Sequence, residues 1–168
     1  ELYFQPFLLT DQPDIILLHK DHGAIIFEVK DWNLNSYKIM NGRTWIVESE
    51  NQPILSPFSQ VSRYKNHIYN YYVEDLARKL SLNKKIFAKI QTSVYFHNAT
   101  YKKYIDLLKN SRMKINEQPD IMDYCFTLYG NSLKRDLKNL KDRFDKKKAL
   151  PEIYYKNLRA LIKPSYHR

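Results

Sequence analysis

The sequence predicts an α/β fold in which a central β-sheet is flanked by helices and followed by a helical extension. Three observations predict it. Short apolar runs rich in Ile, Leu, Val and Phe crowd the first third of the chain. A clean helix start follows at Ser56-Pro57, and from Ser132 leucines recur at helical spacing among lysines.

Taken in order, Leu2 to Leu9 is an edge-strand candidate, because Pro6 removes a ladder donor that an edge does not need. Residues 14–18 and 24–30 form an apolar ribbon around His19-Lys20-Asp21-His22-Gly23. A hairpin centred on Asp21 makes Leu18 face Ala24, Ile16 face Ile26 and Asp14 face Glu28. Both faces of this ribbon are apolar, which suits a central position with helices on either side. Tyr37 to Met40 and Thr44 to Glu48 make a hairpin around Asn41-Gly42-Arg43.

Ser56 then suits an N-cap and Pro57 the first helical position. Phe58, Val61, Ile68, Tyr72 and Leu76 carry that helix to about Leu80. Lys85 to His97 is a strand with Ile86, Ala88, Ile90, Thr92, Val94 and Phe96 on one face. Tyr101 to Lys109 is a short helix capped by Thr100, residues 110–120 a polar loop, and Tyr124 to Tyr129 a last strand stopped by Gly130. Leu133, Leu137, Leu140 and Phe144 form the stripe of a helix whose other face carries Lys134, Arg135, Lys138, Lys141 and Lys146 to Lys148. Pro151 opens a second helical stretch through Ile162. There is no internal repeat and no low-complexity segment.

The 168 residues suffice for one domain with an appendage and a real core. A 43% hydrophobic content with three Gly indicates a globule, and 28 Lys+Arg against 18 Asp+Glu leaves +10, which favours a polyanionic partner such as nucleic acid. The single Cys125 excludes an internal disulfide framework and fits a reducing compartment. No apolar run approaches the roughly 20 residues of a membrane span, so the chain reads as cytoplasmic. It lacks an initiator Met, which suggests that it begins inside something longer.

The ribbon carries the chemistry. Side chains alternate faces, so Lys30 joins the face of Glu28, and Asp14 lies opposite Glu28. Opposed carboxylates on neighbouring strands repel unless something compensates them, and a hard divalent cation does so while also accepting water and phosphate as ligands. Metal-dependent phosphodiester chemistry is therefore the leading expectation.

Pro13-Asp14 with Glu28-Val29-Lys30 resembles the signature of the PD-(D/E)XK nuclease superfamily. Phe27-Glu28-Val29-Lys30-Asp31-Trp32 is similar to its nuclease-related (NERD) branch, and Gln60-Val61-Ser62-Arg63-Tyr64 to the Gln-x-x-x-Tyr motif of RecB-like nucleases. The segments 96–100 and 128–132 resemble the variety fused ahead of a UvrD/Rep-type helicase. The resemblance implies a restriction-endonuclease-like core with a mixed sheet over 1–131 and a basic helical extension over 132–168. It implies Mg²⁺ or Mn²⁺ on Asp14, Glu28 and the Val29 carbonyl, and Lys30 orienting the attacking water. Gln60 would line the catalytic cleft. Tyr64, with Arg63 beside it, would meet DNA, single- or double-stranded, and a helicase domain would follow in the same polypeptide. Apart from the resemblance, Lys134, Lys138 and Lys141 of the basic face suit either an ordinary solvated helix face or a further, strongly salt-dependent DNA contact. Many members carry a further acidic residue on a helix ahead of the first strand; before Asp14 this chain has only Glu1 and the loop residue Asp11.

Other candidates read as ordinary. His19 and His22 bracket a turn without a third ligand at zinc spacing. His67, His97 and His167 are isolated, Pro119-Asp120 is a loop, Cys125 belongs to a core strand, and Asn98-Ala99-Thr100 matches a glycosylation acceptor with no bearing on a cytoplasmic protein. Two other classes of function remain compatible: a nucleic-acid-binding module without chemistry, and a docking domain that uses residues 132–168.

Overall fold

The register expected for the first hairpin holds. In the computed structural model, which describes residues 1–8, 10–72, 89–122, 124–145 and 151–162, Leu18 pairs with Ala24 and Ile16 with Ile26. The strands are β2 (Ile15–His19) and β3 (Gly23–Lys30), so Asp14 lies just before β2, and Glu28 near the end of β3. β1 is shorter than the 2–9 expected, Leu2–Phe4, because Gln5 turns to φ 41° and Pro6 follows. It is nevertheless the sheet edge, antiparallel to β2.

β3 is the centre of a five-stranded mixed sheet, with β1 and β2 on one side and two later strands on the other. β7 (Ile90–Phe96) runs parallel to β3, and β8 (Phe126–Tyr129) parallel to β7. Residues 85–88 of the expected long strand, and 73–80 of the expected helix, lie outside the described residues. Gly23 begins β3 at φ +105°, where a Cβ would stand 2.2 Å from the Lys89 carbonyl oxygen, so only glycine fits at this close approach.

A second sheet lies between β3 and the first helix. β4 (Tyr37–Ile39) and β5 (Thr44–Val47) are the expected hairpin, and β6 (Gln52–Leu55) adds a third strand in a stretch to which the sequence assigned no element. Pro53 hides that strand from a sequence reading; on an edge its missing N–H costs no ladder bond. Trp45 of β5 is fully buried and stacks on Phe96 of β7 with ring centroids 6.2 Å apart, fastening the small sheet to the large one.

Helix α1 (Pro57–Tyr72) starts where expected, with the Ser59 N–H donating to the Ser56 hydroxyl at 3.0 Å. Phe58, Val61, Tyr64 and Ile68 bury one stripe against the sheet face that carries Ile16, Ile26, Val94 and Phe96. α2 (Tyr101–Asn110) is capped by Thr100, as expected; the polar segment after it holds a short α3 (Pro119–Met122) rather than loop throughout.

The opposite sheet face receives α4 (Leu133–Asp145), whose Leu140 and Phe144 bury against Ile25 and Leu128. Buried Asp136 anchors this helix by accepting the Tyr129 N–H at 3.1 Å and the Ser132 hydroxyl at 2.6 Å. Leu137, expected in the stripe, is exposed. Lys146 to Lys148 lie outside the described residues, and α5 (Glu152–Leu161) follows Pro151 as expected. Among the described residues no helix is long and apolar enough to cross a membrane.

Candidate active site

The period-two alternation of β3 sends Glu28 and Lys30 to the face covered by α1. Lys30 Nζ donates to Glu28 Oε1 at 2.6 Å and to Gln60 Oε1 at 3.2 Å. Gln60 Nε2 in turn donates to the Tyr64 hydroxyl at 2.7 Å. The amide orientation is thereby set, since a flipped Gln60 would aim its NH₂ at the Lys30 ammonium. Gln60 and Tyr64 are one helical turn apart, which brings both to this cleft.

Asp14 reaches the site differently. Its Oδ2 accepts the Val29 backbone N–H at 2.7 Å, taking the place of a ladder partner where β2 begins. Its half-exposed carboxylate is close enough to Glu28 to disfavour a second charge there. The structure thus brings together Asp14, Glu28, Val29, Lys30, Gln60 and Tyr64. It carries Lys134, Lys138 and Lys141 on α4, over the opposite face of the sheet.

Glu28 is 3% exposed, and burial raises its pKa above the usual glutamate range; the Lys30 ammonium and, behind it, the Tyr64 hydroxyl pull it back, while Asp14 pushes it up. Its Oε2 is buried and finds no hydrogen-bond partner among the described residues. An orphaned carboxylate oxygen beside a second carboxylate is a donor set that a hard cation fits. No cluster of three or more His, Cys, Asp or Glu side chains that could hold a metal occurs among the described residues. The fit is therefore to an ion such as Mg²⁺, which is held by one or two carboxylates and completes its shell with water and phosphate.

A raised folded-state pKa makes Glu28 a stability cost at neutral pH. Its favourable contribution is complete below the unfolded value of about 4.3 and is lost as pH rises through the higher folded value. Glu28→Gln, measured without metal by urea unfolding at several pH values, is expected to gain stability over wild type near pH 7. That gain should shrink toward pH 4; a pH-independent difference would contradict the burial account.

A second cluster on the same helix face was not foreseen. Asp11, 6% exposed, meets Arg63 at 3.3 Å and also pairs with the His67 ring. The Arg63 guanidinium lies 5.5 Å from the Tyr64 ring centroid, so this cluster adjoins the cleft. Gln60, Arg63, Tyr64 and His67 fall at helical spacing, the one signal in the sequence that could have grouped them. Asp120, Cys125 and the His19–His22 turn stay away from the site: Asp120 accepts the Tyr104 hydroxyl at 2.7 Å, and the two His rings lie against each other at a tilt, centroids 4.6 Å apart.

Among known families, the model described as nuclease-related domain (NERD) matches residues 1–97. The match runs from β1 through β7 and so contains every side chain of the cleft. No curated protein matches, and no solved structure does.

Proposed function

From a chain that belongs to the nuclease-related domain family and carries this cleft, we propose a metal-dependent nuclease that hydrolyses DNA phosphodiester bonds. The observation that carries the reading is the buried, unpartnered Glu28 Oε2 beside Asp14 and Lys30. Asp14 and Glu28 would hold Mg²⁺ or Mn²⁺, with the Val29 carbonyl beside them. When bound, the cation supplies Lewis-acid polarisation of the phosphate and a lower pKa for the attacking water.

The protein's own groups do the rest. Lys30 keeps an ammonium next to the reacting phosphate, where it steadies developing negative charge in a partly dry site. Gln60 fixes that ammonium through one oxygen, and its NH₂ group holds the Tyr64 phenol. Arg63, half exposed and steered by Asp11, offers a charge to a phosphate of the bound strand. The basic residues Lys134, Lys138 and Lys141 would add contacts to a long strand that wraps past the sheet, and a helicase in the same polypeptide would supply unwound DNA.

A second reading is favoured by one observation, the absence of a third acidic ligand among the described residues. On that reading the same surface binds nucleic acid without chemistry. Purified protein incubated with plasmid and single-stranded DNA, with Mg²⁺ or with chelator, separates the two. Mg²⁺-dependent cleavage supports the nuclease; metal-independent binding that survives Glu28→Ala, with no cleavage, supports the binding module.

A further inference from the structure

Beyond Glu28, β3 leads into a residue of the same parity, Trp32, whose ring no step of the proposed reaction uses. The chain between is tied to the residues that follow β7. The His97 N–H donates to the Lys30 carbonyl at 2.8 Å, and the Asn98 Nδ2 donates to the Asp31 carbonyl at 2.8 Å. Trp32 is half-buried and stacks on Tyr37 of β4 with centroids 4.6 Å apart and planes 14° apart. Trp45 of β5, fully buried, stands 5.8 Å from it at a tilt. The small sheet therefore buttresses the indole, and Lys30 Nζ lies 5.3 Å from its centroid.

We propose that Trp32 is a positioning residue: its indole face, braced by Tyr37, holds the Lys30 ammonium over the cleft. Glu28 and Gln60 offer Lys30 oxygens, and both are polar groups that an incoming cation, water or phosphate can compete for. The ring cannot be competed away in that manner, because its attraction is to the cation through a π-face quadrupole. When Glu28 turns its charge to a metal, Trp32 still keeps the ammonium in place. This also gives the three-stranded sheet a part in the chemistry, through Tyr37 and Trp45. The inference rests on the reading of Lys30 as a catalytic group.

Trp32→Leu is expected to lower kcat by about 3–30-fold, with KM for DNA and the Mg²⁺ midpoint little changed. Trp32→Phe should restore most of the loss. The decisive series places mono-, di- and trifluorotryptophan at position 32, which weakens the face potential while barely altering shape. We expect log kcat to fall steadily with fluorine count, and the same series to be flat in Lys30→Met. A flat series in an otherwise wild-type enzyme that needs Lys30 overturns the proposal alone. If wild type does not cleave, the nuclease reading fails separately, and the contact is judged by a double-mutant cycle. Non-additive shifts of the urea midpoint for Trp32→Leu and Lys30→Met support it; additive shifts overturn it.

Discussion

Lys30→Ala is expected to lower Mg²⁺-dependent DNA cleavage by about 10²–10³-fold, the loss typical of one preorganised charge stabiliser. The Lys30 side chain is 16% exposed and Glu28's 4%, so the pair is screened little by solvent. Removing the ammonium has two consequences. On the proposed function the phosphate loses a fixed positive charge, which lowers the rate at saturating metal. Glu28 also loses the group that most opposes its burial, so its carboxyl binds a proton more firmly. A cation must then displace that proton, and both the Mg²⁺ midpoint and the acidic limb of the pH–rate profile should move upward. Lys30→Arg keeps the charge, but a planar fork does not match one carboxylate oxygen and one amide oxygen as a compact ammonium does, and an intermediate rate is expected. Single-turnover cleavage against metal concentration and pH checks both parts. Undiminished cleavage by Lys30→Ala would sink the proposed function.

How much of this was legible in the sequence follows the range of each interaction. The β2–β3 register needed only alternation and a short turn, so Ile16 met Ile26 as expected and the acids came to one end. Gln60 and Tyr64 needed only the helical repeat. Their meeting with Lys30, thirty residues from Gln60 along the chain, came from the family resemblance, because spacing alone does not say which helix covers which sheet face. The same limit hid the placement of α4. Its stripe of Leu133, Leu140 and Phe144 was plain, yet nothing in that stripe says that its lysines lie across the sheet from Glu28. β6 was hidden by Pro53, and Asp11 by a separation of 56 residues from His67 with no periodic pattern between them. Trp32 stood in view within the motif, but its use as a brace depends on Tyr37 and Trp45 from another sheet.

The combined substitution Arg63→Ala and His67→Ala is expected to destabilise the fold by about 3–5 kcal/mol, the cost of leaving a buried charge without its partners. Asp11 cannot leave the interior easily. Its backbone is tied to Leu8 by two hydrogen bonds, Leu8 N–H to Asp11 O at 2.9 Å and Asp11 N–H to Leu8 O at 3.0 Å. Its carboxylate is 5% exposed, so the two α1 side chains replace the water it gave up. The converse change is milder. Asp11→Asn removes the charge and leaves a half-exposed Arg63 that solvent can take back. Adding Asp11→Asn to the double variant should therefore restore part of the lost stability, a rescue that follows from charge and not from packing. Urea unfolding of the four proteins provides the measurement. Because this cluster joins the segment leading to Asp14 with the helix bearing Gln60 and Tyr64, the double variant should also need more Mg²⁺ for cleavage at temperatures where it remains folded. If its stability loss is small, or if Asp11→Asn deepens it, the buried charge is not what ties these two elements together.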